Sequence, residues 1–195
     1  GHSLGGHVAT TYAGVRPERI RRLVNLEGFG LASTRPSQAP GRYAQWLDEI
    51  AALNQGAKDL KTYASLDGVA QRLIKTNPRL SADKAEWLAQ QWASETEDGR
   101  WQINGHAAHK VIGAHLFQAP ETIAIYQRIK APTLFVRAEE DSLQTWWKNK
   151  FTQEEFAERL THIPQVETAV MADVGHMLHH DKPVELAEMV EHFLT

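Results

Sequence analysis

The first fourteen residues, Gly1 to Gly14 (GHSLGGHVATTYAG), decide how the rest of the chain is read. Gly1-His2-Ser3-Leu4-Gly5 has the glycine–x–serine–x–glycine spacing of a sharp turn that lifts a serine hydroxyl into a cleft and runs straight into a helix. The glycines let neighbouring backbone pass closely. A helical segment follows from Gly6 to Val15, and Arg16-Pro17 ends it, because the residue before a proline avoids helical backbone. The backbone N–H of Leu4 stands at the helix start, where donors have no intrahelical acceptor and the dipole favours negative charge. A strand should lead into such a turn. None precedes Gly1, so by sequence nothing fixes Ser3 in a strained geometry.

Working outward, Leu23, Val24 and Leu26 form a short apolar run closed by Gly28, which reads as a buried strand. Similar runs recur at Ala131 to Ala138 (APTLFVRA) and Val166 to Ala172 (VETAVMA). Helical patterns follow both: TQEEFAERL, with Thr152 and Glu155 as a capping box, and PVELAEMVEHFL, led by Pro183. Strands alternating with helices imply a parallel sheet with helices packed on it. Residues 1–31 and 127–195 are therefore read as an α/β core. Residues 32–126 show no convincing strand and carry amphipathic helical patterns, with Leu66, Val69, Ala70, Leu73 and Ile74 on one face. They read as an all-helical insertion, far longer than an ordinary βα connection.

Composition narrows the function classes. A net charge of −3 and a pI near 6.4 argue against nucleic acid as a partner. With no cysteine, disulfides, thiolate catalysis and Cys-ligated zinc are excluded. No apolar stretch is long enough to span a membrane, and the chain reads as cytoplasmic, any amino-terminal signal being outside it.

A serine hydroxyl needs a base and oxyanion donors to act as a nucleophile. Among ten histidines, His176 in DVGHMLHHDKP stands on a loop just past the third strand, at the sheet edge where α/β proteins place ligands. His179 and His180 are rivals nearby. A zinc site of His176, His179 and Asp181 would leave Ser3 without purpose. An acid must then orient the base. Asp141, three residues past the second strand run, is preferred, and Glu27, at the end of the first, is its rival. Glu139 and Glu140 read as solvated, and Asp173 lies too close in sequence to His176.

GHSLGG, RPERIRRLVNLEGFG, APTLFVRAEED and VGHMLHHDKPVELAEMVEHFL together resemble the α/β-hydrolase superfamily with a helical cap, over the whole chain but for the carboxyl-terminal part of the fold only. The resemblance implies a serine hydrolase acting on a carboxylic ester or related small acyl substrate, with no cofactor and no metal. Ser3 would be nucleophile, His176 base, Asp141 acid with Glu27 as alternative, and the Leu4 N–H an oxyanion donor. His2, Trp46, Trp87, Trp92 and Trp101 are expected to line the substrate pocket. A ligand-binding protein on the same scaffold, without turnover, is the alternative. The family's earlier strands have no counterpart here, so the isolated chain is expected to be inactive and poorly soluble, and its partner would be the missing amino-terminal half.

Overall fold

β-Branched and aromatic residues concentrate in three segments that pair side by side, while the stretches between them carry helical periodicity. A computed structural model describes residues 1–195. In chain order the elements are α1 (Leu4–Val15), β1 (Leu23–Leu26), α2 (Ala39–Asn54), β2 (Thr62–Tyr63), α3 (Leu66–Thr76), α4 (Ala82–Trp92), β3 (Ala93–Glu95) and β4 (Trp101–Ile103). There follow α5 (Ala119–Tyr126), β5 (Thr133–Ala138), α6 (Ser142–Trp147), α7 (Gln153–Leu160), β6 (Val166–Met171), α8 (Leu178–Asp181) and α9 (Pro183–Leu194). The chain divides into two compact units, one of Gly1–Thr34 with Phe117–Thr195 and one of Arg35–Leu116.

The first unit is built on a parallel sheet of order β1-β5-β6, with Leu23 opposite Thr133 and Thr133 opposite Val166. Alternation along β5 sends its side chains to two cores. Phe135 packs with Phe29, Leu143, Phe151 and Phe156 on one face. Leu134, Val136 and Ala138 pack with Met171, Leu178, Leu186 and Phe193 on the other. A sheet buried on both faces needs apolar residues at nearly every position, and β5 has them. This is the α/β architecture that the sequence implies. Thr34 donates both its N–H and its hydroxyl to the Phe117 carbonyl, at 3.0 and 2.7 Å, so the two ends of the interrupted segment are tied together.

The second unit is mostly helical. Ser65 and Ser81 cap α3 and α4, accepting from the N–H groups of Gly68 and Lys84, and Val69, Ala70, Ala85, Leu88 and Ala89 form its core. It is not all helix. An antiparallel sheet of order β2-β4-β3 lies within it, with strands of only two or three residues, too short to show alternation in the sequence. A second difference concerns α5, read as part of the insertion. It packs on α1 in the first unit, where Gly14 comes so close to Ile125 that a Cβ would stand 2.2 Å from its carbonyl oxygen.

The start of the chain also differs from expectation. Gly1 and His2 run beside β1 in parallel, with His2 bridged to Leu26. Leu26 N–H donates to the Gly1 carbonyl at 2.9 Å, and Ser3 N–H donates to the Leu26 carbonyl at 2.8 Å. Ser3 is thus fixed by sheet-like hydrogen bonds to β1.

Candidate active site

Ser3 sits at the junction between this bridge and α1, with φ 53° and ψ −121°, a backbone region that L-residues rarely occupy. Such a conformation costs about 1–3 kcal/mol and persists only where its surroundings impose it. Beneath the turn, Gly6 of α1 meets Gly28 of the loop after β1, and a Cβ on Gly28 would lie 2.8 Å from the Gly6 Cα. Asn25, buried within β1, latches the same place. Its amide donates to Thr10 Oγ1 (2.9 Å) and to the Gly28 carbonyl (3.1 Å), and its oxygen accepts from Gly28 N–H (2.8 Å). The sequence offers no reason to single out this asparagine, yet it sets the distance between the serine turn and the loop that carries Glu27.

Glu27 follows β1 with φ 57°, so the chain reverses there and aims the carboxylate into the sheet edge. It is 2% exposed. Burying a carboxylate demands hydrogen-bond partners, and both oxygens have them. Oε1 accepts from Ala138 N–H at 2.7 Å, while Oε2 accepts from the Ser142 hydroxyl at 2.6 Å and lies 3.1 Å from His176 Nδ1. The His176 ring also stands edge-on to Trp146, at 4.1 Å between centroids. The hydroxyl of Ser3 and Nε2 of His176 make no hydrogen bond within the protein. Hydrogen bonds between reacting groups are commonly long in unliganded sites.

The structure does not bring Asp141 to His176. Asp141 is exposed and caps α6: its Oδ1 accepts from Gln144 N–H at 2.9 Å and from the Gln153 amide at 3.2 Å. An aspartate just before a helix has four free N–H groups in front of it, and capping them wins. Leu4 opens α1, its N–H at the helix start beside Ser3.

His2 has a different place from the one expected. Its Nε2 lies 2.7 Å from the His176 carbonyl oxygen, to which it must donate, and its ring contacts those of His176 and His179 at 4.6 and 4.3 Å. Burial pushes His2 below the ordinary histidine value, although its bond to the His176 carbonyl works in the opposite direction. His179 is pushed down to about 4, by burial first and then by the neighbouring histidines. No three His, Asp or Glu side chains converge as ligands for a metal ion.

A cavity of about 340 Å³ opens beside Ser3. Ser3, Leu4, His7 and Glu27 line it, with an apolar wall of Phe29, Leu31, Leu143, Trp146 and Trp147 and a gap at Gly30. Trp46, Trp87, Trp92 and Trp101 are not among its lining residues. Trp101 packs against the core of its own unit, and Trp87 is exposed. The aromatic pair that does line the cavity, Trp146-Trp147, stands in the sequence as a tandem just past Asp141, and His7 stands one helical turn after Ser3. Those spacings were the available signals.

The pattern of the Alpha/beta hydrolase family matches residues 1–189. The chain belongs to this family. A curated relative from Danio rerio, a "Serine hydrolase-like protein", is 22% identical over 100% of this chain and 59% of its own length. Among solved structures of similar fold, the thioesterase domain from the curacin biosynthetic pathway is 22% identical, with a TM-score of 0.77 over 98% of this chain and 64% of that one. An esterase from M. tuberculosis is 20% identical, with a TM-score of 0.68 over 100% of this chain and 61% of that one. The chain thus spans about three-fifths of the length of the proteins it matches here.

Proposed function

We propose that this protein is a serine hydrolase that cleaves a carboxylic ester or a related acyl compound through Ser3, His176 and Glu27. The observation that carries the reading is the strained Ser3 turn, bonded to the same strand whose end bears the buried Glu27 paired with His176.

In this reading Ser3 Oγ attacks the substrate carbonyl carbon as His176 Nε2 takes the hydroxyl proton. Glu27 accepts from Nδ1–H, which fixes the tautomer that leaves Nε2 basic and stabilises the imidazolium that forms. The Leu4 N–H, at the positive end of α1, faces the oxyanion. The imidazolium then gives its proton to the departing alcohol oxygen, leaving an acyl-serine. Water adds to that ester, its proton passing to His176, and the collapse returns the proton to Ser3 as the free acid leaves. His2 acts as a positioning residue, holding the His176 backbone through its Nε2–H. Family membership and the named activities of the esterase and thioesterase relatives support this class of reaction.

The test is the natural protein with an activated ester such as p-nitrophenyl butyrate. A burst of one nitrophenolate per protein followed by steady turnover is expected, with Ser3→Ala lowering kcat by roughly 10³-fold or more. Ligand binding with neither burst nor turnover in the natural protein would mean a ligand-binding protein on this fold.

A further inference from the structure

Ser142 is the first residue of α6, and a serine at a helix start commonly turns its hydroxyl to the free N–H groups there. Here Asp141 does that capping, its Oδ1 accepting from Gln144 N–H. The Ser142 hydroxyl points inward instead and donates to Glu27 Oε2 at 2.6 Å. An ionised carboxylate only accepts, and this length falls in the short range of hydroxyls bonded to a charged oxygen. Both partners are buried, Ser142 being 5% and Glu27 2% exposed.

The oxygen concerned is the one that faces the base. Oε2 also lies 3.1 Å from His176 Nδ1, whereas Oε1 is held by Ala138 N–H at 2.7 Å. Apart from His176 itself, the hydroxyl and that one backbone N–H are what hold the carboxylate plane. The helix that supplies the hydroxyl is firmly seated, because Leu143 is buried in the core with Phe135, Phe151 and Phe156. Trp146, one turn after Ser142, stands edge-on to His176 at 4.1 Å between ring centroids. One short helix thus touches the acid through one side chain and the base through another.

A buried carboxylate needs donors whatever its role, and a hydroxyl that served stability alone would leave His176 unaffected. The position on Oε2 separates the two cases. Donation by the hydroxyl draws charge from the oxygen that His176 faces. Its removal concentrates charge there, favours the imidazolium, and lets the carboxylate rotate about its last bond. We propose that Ser142 is a positioning residue of the hydrolase site: it fixes the Glu27 carboxylate plane and sets how readily His176 takes a proton. The proposal deepens the serine-hydrolase reading and rests on it for the effect on rate, while the protonation of His176 is measurable without turnover.

The experiment compares the natural protein with Ser142→Ala, which removes the hydroxyl, and Ser142→Thr, which keeps it. NMR follows the His176 Cε1 proton through a pH titration, assigned by its loss in His176→Gln. The ionisable groups around His176 are Glu27 at the end of β1, His2 on the bridge to β1, and His179 with His180 and Asp181 on α8. All are the same in the three proteins. In Ser142→Ala the half-point of the titration should move up by roughly 0.5 pH unit. On p-nitrophenyl butyrate, kcat on the plateau of its pH profile should fall about tenfold, with KM changed less than about twofold. Ser142→Thr should bring both back towards the natural values, and Ser142→Cys, close in size but a weaker donor, should fall between the natural protein and Ser142→Ala. An unmoved half-point in Ser142→Ala, or the same shift in the threonine and cysteine variants as in alanine, would overturn the proposal. So would a rate loss that follows only a lower denaturant midpoint while the half-point stays fixed. A half-point that moves as expected in a protein without turnover would sink the catalytic reading and leave the positioning of Glu27 and His176 standing. Turnover with no movement would sink the proposal alone.

Discussion

Two acidic residues stand just past the carboxyl ends of neighbouring strands, Glu27 after β1 and Asp141 after β5, and the chain treats them in opposite ways. At Glu27 the backbone turns through positive φ and buries the carboxylate among a backbone N–H, a hydroxyl and an imidazole. At Asp141 the chain runs directly into α6, and the carboxylate stays in solvent to cap that helix. Strand-end position alone does not select a functional acid. What matters is whether the local turn directs the side chain inward and whether something there satisfies a buried charge. Ser142 joins the two regions: it is the first residue of the helix that Asp141 caps, and its hydroxyl donates to Glu27.

The sharpest way to break this contrast is to neutralise each acid in turn. Glu27→Gln keeps the shape but removes the charge and offers a donor where His176 needs an acceptor. A loss in kcat of about 10³- to 10⁴-fold is expected, by analogy with amide replacement of the acid in serine proteases. Steady-state kinetics on an activated ester reads it, and a loss of less than tenfold would remove Glu27 from the mechanism.

A second prediction sharpens the comparison through pH. The His2 ring packs on His176, His179 on His2 and His180 on His179, whereas the Asp141 carboxylate accepts from Gln144 N–H and the Gln153 amide. His179 is held at about 4 against an ordinary value of 6.5, and His2 and His7 are also lowered. In the window between about 4 and 6.5 the unfolded chain binds protons that the folded protein refuses. The stabilisation is therefore complete above about 6.5 and drains away as pH falls towards 4. Urea midpoints should fall between pH 7.5 and pH 4.5. His179→Phe should flatten that dependence, and an unchanged slope would show that His179 is not held neutral by its burial.

The smallest effect is expected at Asp141. Replacement by alanine removes the α6 cap, at a cost of about 1 kcal/mol in stability, with kcat changed by no more than about threefold. Denaturant unfolding and the same ester assay check the two halves of that statement. A large rate loss would restore Asp141 as a candidate partner of His176.

Much of this was legible in the sequence. The three parallel strands, the helices between them and the long insertion follow from apolar runs and helical periodicity. Ser3, His176 and both rival acids are named as candidates by motif and strand-end position, and their roles rest on the proposed function. The rest depends on three-dimensional facts that a linear pattern does not carry. The choice between Glu27 and Asp141 turns on a positive φ at a non-glycine residue and on a hydroxyl 115 positions away. The strands β2, β3 and β4 are too short to alternate visibly. Tryptophan content marks Trp46, Trp87, Trp92 and Trp101 as aromatic-rich but does not say which cavity an aromatic ring faces. Trp146, Trp147 and His7 line the one beside Ser3. His2 was visible as the neighbour of the serine, but its bond to the His176 backbone bridges 174 positions.

The most direct test of the central claim is the rate at which a fluorophosphonate labels Ser3, followed by intact mass, in the natural protein and in its Glu27→Gln and Asp141→Ala variants. Single labelling at similar rates is expected in the natural protein and Asp141→Ala, with labelling slowed by about a hundredfold or more in Glu27→Gln, as when a base loses its orienting acid. Slow labelling in Asp141→Ala with Glu27→Gln unaffected would contradict it, and would assign the acid's role to the other strand.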